Sequence, residues 1–322
     1  MPIPEVIGVL REWITPGDPR EATREGLGIA LSAAVKERPE LFAEEALNFR
    51  ELDPIYVREY LSGLQEAVKG GARVAWGPVL TLCQWVLEQP RDIPGRVERY
   101  SDLDPGWVWT RSGIASLLEV GLTSDASLIP SELRELVWSV IEPLISDPDP
   151  EEAADRGGFR DAELSLNSIR GKAMHDVFLY CRWVKLWLDQ QGDREHSLED
   201  MPEAERVLRS KLDPAVEGHL AIRAVFGWRY PLLLWLDRSW ATEHQDDVFS
   251  RQDRGLDALG QSAWNAYLFF ARVHLDSLDT LRSQYEVSVE TLDSTPRTFP
   301  HDDPLIRLSH HLVTFLCTDG LL

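Results

Sequence analysis

The sequence predicts an all-α chain, built as an α-solenoid-like array of antiparallel helical hairpins, in effect degenerate helical repeats. Three observations carry this. Apolar residues recur at spacings of three and four in segment after segment, the period of a helix with one buried face. Alternation at period two is nearly absent, and no Asn-Gly or Asp-Gly turn separates β-branched runs. The periodic segments are divided by short connections containing Pro and Gly, which punctuate helices. Roughly fourteen helices follow from this pattern.

Taken in order, Ile3 to Ile14 reads as a short helix closed by Thr15-Pro16-Gly17. Pro19 suits the first turn of a second helix, with Glu21 and Glu25 near its positive end and a stripe of Leu27, Leu31 and Val35. Pro39 opens a shorter helix through Phe49. Asp53 is a good N-cap and Pro54 a good first-turn residue for the next, whose buried face is Val57, Leu61, Leu64 and Val68, with Gly70-Gly71 ending it. Trp76 to Leu87 follows and is close enough in sequence to pair with it as a hairpin. After a polar connector from Pro90 to Pro105, Trp107 to Val120 and Pro130 to Ile145 predict another hairpin.

The stretch DPDPEEAADRGGFRD, Asp147 to Asp161, is acidic, contains Pro and Gly and lacks an apolar period. It divides the chain into a helical array over 1–146, an acidic linker over 147–163 and a second array over 164–322, with one continuous solenoid as the alternative. The second array opens on a long helix over Leu164 to Leu188, with Leu166, Ile169, Ala173, Val177, Tyr180 and Val184 on its stripe. Helices over Glu203 to Leu212 and Ala215 to Phe226 come next. GWRYPLLLWL, Gly227 to Leu236, predicts a buried helix broken at Pro231. Leu256 to Val273 and Leu275 to Leu292 predict a long hairpin, and Pro304 to Cys317 the last helix. Twelve tryptophans fall mostly inside or at the ends of helices, where they act as wedges between elements or line a peptide groove.

A hydrophobic content of 43% suffices for a packed core. The net charge of −21 repels nucleic-acid phosphates, and no run of basic residues offsets it, so no nucleic-acid partner is expected. Cys83, Cys181 and Cys317 are an odd, sparse set, which argues for a reducing compartment rather than a disulfide framework. The first residues lack the pattern of a signal peptide, and no apolar stretch reaches membrane-spanning length. The expectation is a cytoplasmic protein with no membrane partner.

No catalytic, cofactor-binding or metal-binding residue is assigned. Gly171-Lys172 is followed by Ala173 inside a helix and fails as a phosphate loop. His310-His311 and His175-Asp176 are adjacent pairs, which point to different helix faces and are poor co-ligands. Carboxylates are too many for sequence to single out an acid–base pair. The one polar turn that stands out is Asn167, Ser168, Arg170 and Gly171. Asn167 or Ser168 suits a helix cap, Gly171 suits close approach of a neighbouring helix, and Arg170 can bond carbonyls or a carboxylate there. The expectation is a structural junction, with an anion site at the helix start as the alternative.

The string SLNSIRGKAMHDVFLY, together with YLSGLQEAV, IRAVFGWRYPLLLWLDRSW, SAWNAYLFF and LRSQYEVSV, resembles segments of large bacterial anti-phage defence ATPases of the STAND-NTPase type, which carry long helical C-terminal arrays. The likeness covers most of the chain in patches of structural signature. It implies the helical sensor or scaffold region of such a protein, with a protein partner of phage origin. The NTPase and effector modules would lie outside the chain, which then reads as a fragment. On this footing the expected function is non-enzymatic protein recognition. An all-α enzyme with a carboxylate-based site and an inert spacer remain the alternatives.

Overall fold

The computed structural model describes residues 2–13, 22–96, 106–123, 129–151, 159–192, 194–252, 255–272, 275–290 and 304–318. Among the described residues it is all-α apart from one two-residue antiparallel pair, Arg251–Gln252 with Gly255–Leu256, and an isolated bridge between Asp92 and Gly106. The chain forms two compact units, 1–147 and 148–322.

The first unit contains α1 (Ile3–Glu12), α2 (Arg24–Glu37), α3 (Pro39–Glu44), α4 (Pro54–Lys69), α5 (Trp76–Glu88), α6 (Val108–Thr123) and α7 (Arg134–Leu144). A 3-10 turn over Ala46–Phe49 follows α3, so the predicted Pro39 helix is two short pieces. The predicted start of α2 at Pro19 lies outside the described residues; the described helix starts at Arg24, where Thr23 Oγ1 accepts from the Gly26 N–H at 3.0 Å. The closest helix packing runs between alternate helices. Helices α2, α4 and α6 form one row, and α3 with its 3-10 turn, α5 and α7 form a second. Stacking of this kind lets each helix cover its neighbours, as in a helical array. Val57, Tyr60, Leu61 and Leu64 of α4 and Val79, Leu82, Cys83 and Val86 of α5 are fully enclosed. Trp76 fills the space against Gly121, whose missing side chain it replaces.

The second unit contains α8 (Phe159–Asn167), α9 (Ile169–Gln191), α10 (Pro202–Leu212), α11 (Leu220–Leu236), α12 (Arg238–Glu243), α13 (Gln245–Val248), α14 (Ala258–Phe270), α15 (Leu275–Glu290) and α16 (Pro304–Thr318). Its centre is α11, which packs on α14, α9, α8 and α12. Two expectations are corrected here. The predicted helix from Leu164 is two helices, α8 and α9, separated at Ser168 (φ −112°, ψ 152°), so Leu166 belongs to α8 and is 37% exposed. The predicted break at Pro231 does not occur, and α11 runs through it. Proline there removes one backbone hydrogen bond, to the carbonyl of Gly227. Burial of α11 against four other helices keeps it one continuous helix through the loss.

The closest approach in this unit is between α11 and α14. A Cβ on Gly227 would lie 1.9 Å from the Ala263 carbonyl oxygen, so only glycine fits. Ala162, Ala224 and Ala266 surround the crossing, and Trp228 and Phe270 stack across it with centroids 4.1 Å apart. By contrast, a Cβ on Gly113 in the interior of α6 meets nothing within 4 Å. Gly227→Ala therefore lowers stability by about 3 kcal/mol or more through overpacking. Gly113→Ala raises it by roughly 0.5 to 1 kcal/mol through helix propensity and unfolded-state entropy. Urea unfolding of the two variants beside the parent checks both signs.

Candidate functional site

The four residues singled out in the sequence meet at the start of α9. The backbone N–H of Ile169 donates to Asp149 Oδ2 (2.7 Å) and that of Arg170 to the Asp149 carbonyl (2.9 Å). The cap therefore comes from Asp149, not from the side chains expected to supply it. Asn167 Nδ2 instead donates back to the Glu163 carbonyl (2.8 Å) and Ser168 Oγ to that of Leu164 (2.7 Å), closing the end of α8. A Cβ on Gly171 would stand 2.3 Å from the Ser165 carbonyl, so the glycine lets α9 turn back tightly on α8.

Arg170 reaches both kinds of acceptor. Its guanidinium donates to the Pro150 carbonyl (3.2 Å), and Nε lies 3.3 Å from the buried Glu217 carboxylate. Lys211 Nζ donates to the same carboxylate at 3.1 Å, and the backbone N–H of His219 donates to its other oxygen. His219 Nδ1 accepts from the Ala221 N–H, which makes Nε2 the protonated nitrogen and its contact with the Glu151 carbonyl (3.1 Å) a donation. Charge and polar capacity are consumed within this network, which joins residues 149–151 to the ends of α9, α10 and α11. Its geometry suits a structural joint.

Two other polar groups of the second unit are sealed in the core. His175 lies between Arg229 Nε, which donates to Nδ1, and Ser165 Oγ, 3.1 Å from Nε2. His311 Nε2 is 3.0 Å from the Leu268 carbonyl and its Nδ1 is 2.8 Å from the Tyr285 hydroxyl. Burial, and for His175 also the nearby Arg229 charge, disfavours the protonated rings. His175 titrates well below 6.5 and His311 at about 4. Native rings stay neutral while unfolded ones take a proton below about pH 6.5. Their contribution to stability is complete above pH 6.5 and is lost as pH falls towards 4, by about 3 kcal/mol for His311 alone. All eight histidines lie at or beyond position 175. Hydrogen-exchange protection factors at pH 5 against pH 7 should therefore fall in the second unit and hold in the first.

The first unit carries a different kind of polar site, a cleft of about 520 Å³. Leu10, Arg11 and Trp13 come from α1 and its C-cap, Arg24 from α2, and Glu51 to Pro54 and Tyr56 from the turn into α4. Trp85 and Gln89 come from the end of α5, Ile93 and Arg96 from the loop beyond it, and Trp107 from the entry to α6. Asp53 organises one wall. Its Oδ1 accepts from the Ile55 N–H (3.1 Å), capping α4, and from Arg96 (3.0 Å), while Oδ2 accepts from Arg24 (2.9 Å) and again from Arg96 (3.3 Å). Trp85 and Trp107 meet edge to face with centroids 5.4 Å apart. Glu51 sits at the rim with φ 66°.

Two polar groups in this cleft are left over. Tyr56 is 1% exposed, and among the described residues its hydroxyl has no hydrogen-bond partner, nor has the enclosed Trp13 Nε1. Burial pushes the Tyr56 hydroxyl up to about 12, with Arg24 pulling down and Asp53 pushing up, so it stays protonated at neutral pH. The sequence supplied one clue, the Asp53-Pro54 helix start. Its other members come from separate segments, and nothing local marks them as neighbours. A second hollow, of about 600 Å³ between the C-terminal ends of α4 and α6, is lined by Gln65, Lys69, Glu119 and Thr123 among others and strands no buried polar atom among the described residues. Among the described residues no group of three or more His, Cys, Asp or Glu is placed to hold a metal ion, and no helix is long and apolar enough to cross a membrane.

No family model, characterised protein or solved structure matches the chain, so the functional reading rests on its own residues.

The double role of Asp53 can be separated by mutation. Asp53→Ala removes the cap and both arginine partners and costs unit one about 2 kcal/mol. Asp53→Asn keeps a capping oxygen and loses the charge, costing roughly 1 kcal/mol or less. Thermal unfolding of the two variants should place Asn between Ala and the parent.

Proposed function

We propose that the chain is a non-enzymatic helical scaffold for protein recognition, and that it is the sensor region of a bacterial anti-phage defence NTPase whose other modules lie outside it. The observation that supports the reading is the stacking of alternate helices into two rows in the first unit. Such stacking yields successive helix faces on which a large partner can be read. Two exposed tryptophans fit the same use. Trp109 is 43% exposed with Arg58 5.0 Å from its ring centroid, and Trp235 is 44% exposed with Lys185 5.4 Å away. Tryptophan and arginine are the residue types that most often anchor protein interfaces. A reducing, cytoplasmic setting suits three free thiols, of which Cys83 and Cys181 are buried and Cys317 is exposed.

The test places a photo-crosslinking amino acid at position 109 or 235 of the chain in bacteria, with and without phage infection. The reading expects a discrete protein adduct that appears on infection. Identical background adducts in both cultures, or none, would sink it.

A further inference from the structure

We propose that the cleft of the first unit, walled by Trp13, Tyr56, Trp85 and Trp107 and edged by Arg11 and Arg24, binds a small amphipathic carboxylate: a flat apolar or aromatic body carrying one carboxyl group. The inference goes beyond protein recognition and stands or falls separately from it.

The first ground is the leftover donors. A buried donor without an acceptor costs roughly 1 to 3 kcal/mol, and native proteins leave few. Two such groups, the Tyr56 hydroxyl and Trp13 Nε1, are carried by residues that line one cleft, both atoms being closed to solvent as it stands. An indole N–H only donates, so whatever satisfies Trp13 must bring an acceptor. Two nearby cations have donors to spare. Arg24 commits a single nitrogen to Asp53, and Arg11 makes no ion pair among the described residues.

The second ground is charge. Arg11, Arg24 and Arg96 against Glu51 and Asp53 leave the lining positive by one, on a chain whose net charge is −21. An anion is attracted to this lining and repelled by most of the rest of the surface.

The third ground is shape and surface. Leu10, Pro54, Trp85, Ile93 and Trp107 give the cleft an apolar side, and its volume falls within the range of small-molecule sites. An inorganic anion would satisfy the arginines but leave that side bare. A neutral aromatic would cover the apolar side but leave the donors unmet. A carboxylate on an aromatic body does both, with its oxygens toward Arg11, Arg24 and the two leftover donors and its ring against the tryptophans.

The test is calorimetric titration of the full chain with 2-naphthylacetate, its neutral amide and inorganic phosphate, with the indole N–H resonance of Trp13 followed by NMR. The resonance is assigned by its loss in Trp13→Phe. The proposal expects saturable binding of the acid at a single site, a shift of the Trp13 resonance, and affinity for the amide and for phosphate weaker by about tenfold or more. Arg11→Gln, on an exposed side chain whose loss leaves the fold intact, should weaken the acid by about tenfold, and Tyr56→Phe by a similar factor. Equal binding of acid and amide would overturn it, as would no binding at millimolar acid. So would phosphate as tight as the acid, or an affinity unmoved by both variants. A dipeptide ending in tryptophan that binds tenfold more tightly than the acid would shift the occupant to a chain terminus and overturn the small-molecule assignment.

Discussion

The second unit depends on how near α11 can come to α14. With Gly227 against the Ala263 carbonyl, and Ala162, Ala224 and Ala266 around the crossing, the two backbones meet without intervening side chains. That approach puts α11 in the middle of the unit, where α8, α9 and α12 also reach it. A helix so placed must be apolar on nearly all sides, and LAIRAVFGWRYPLLLWL is. Its exceptions are managed individually. Arg223, 1% exposed, donates to the carbonyls of Leu212 (2.7 Å) and Asp247, and the Tyr230 hydroxyl donates to that of Ala241 (3.0 Å). Burial lowers the arginine's proton affinity and raises the tyrosine's, as low dielectric disfavours each charged form. The side chains that interrupt the apolar surface thus hold the ends of α10, α12 and α13 in place.

Around this centre, polar groups of the second unit are matched to one another over long sequence separations. Ser262 Oγ bonds Asp161, 101 residues earlier, and Tyr285 joins Tyr267 to His311. Networks of this kind specify how elements dock, because each partner left unmet would cost more than a made bond returns. The junction at Asp149, Arg170 and Glu217 follows the same rule. A carboxylate with two cations and a backbone N–H on it has little left to offer a ligand.

The helices themselves were legible because their apolar period is local. Asp53 and Pro54 announce α4, and the stripe of Val57, Leu61 and Leu64 faces inward as its spacing implies. What was not legible depends on residues far along the chain. Nothing near Ser168 shows that Asp149 will take the N–H groups of Ile169 and Arg170 and so divide one periodic stretch into two helices. Pro231 reads as a break because local propensity says so, and only the packing of α11 on its neighbours overrides it. Leu166 follows the helical stripe in sequence yet is exposed, since the turn at Ser168 starts a new register. The cleft was illegible for the same reason: its lining comes from six short stretches between Leu10 and Trp107, and the one residue that draws two arginines together, Asp53, looked locally like a cap alone.

The polar junction and core histidines of the second unit and the cleft of the first differ in where binding free energy is left unspent. At the junction and core histidines, His175, His219 and His311 each engage partners at both ring nitrogens, and Glu217 is held from three directions. A ligand entering there would have to break bonds already made. At the cleft of the first unit, Asp53 draws two arginines to one wall, while the Tyr56 hydroxyl and the Trp13 indole N–H stand without acceptors among the described residues. An acceptor arriving there makes hydrogen bonds that folding left unmade, so its desolvation cost is offset by relief of two existing ones. A carboxylate gains most, because donors with no protein acceptor to give up bond a charged acceptor more strongly than a neutral one. Specificity follows from the same asymmetry. A ligand lacking the acceptor gains only the apolar contact with Trp85 and Trp107 and leaves the two buried donors as they were.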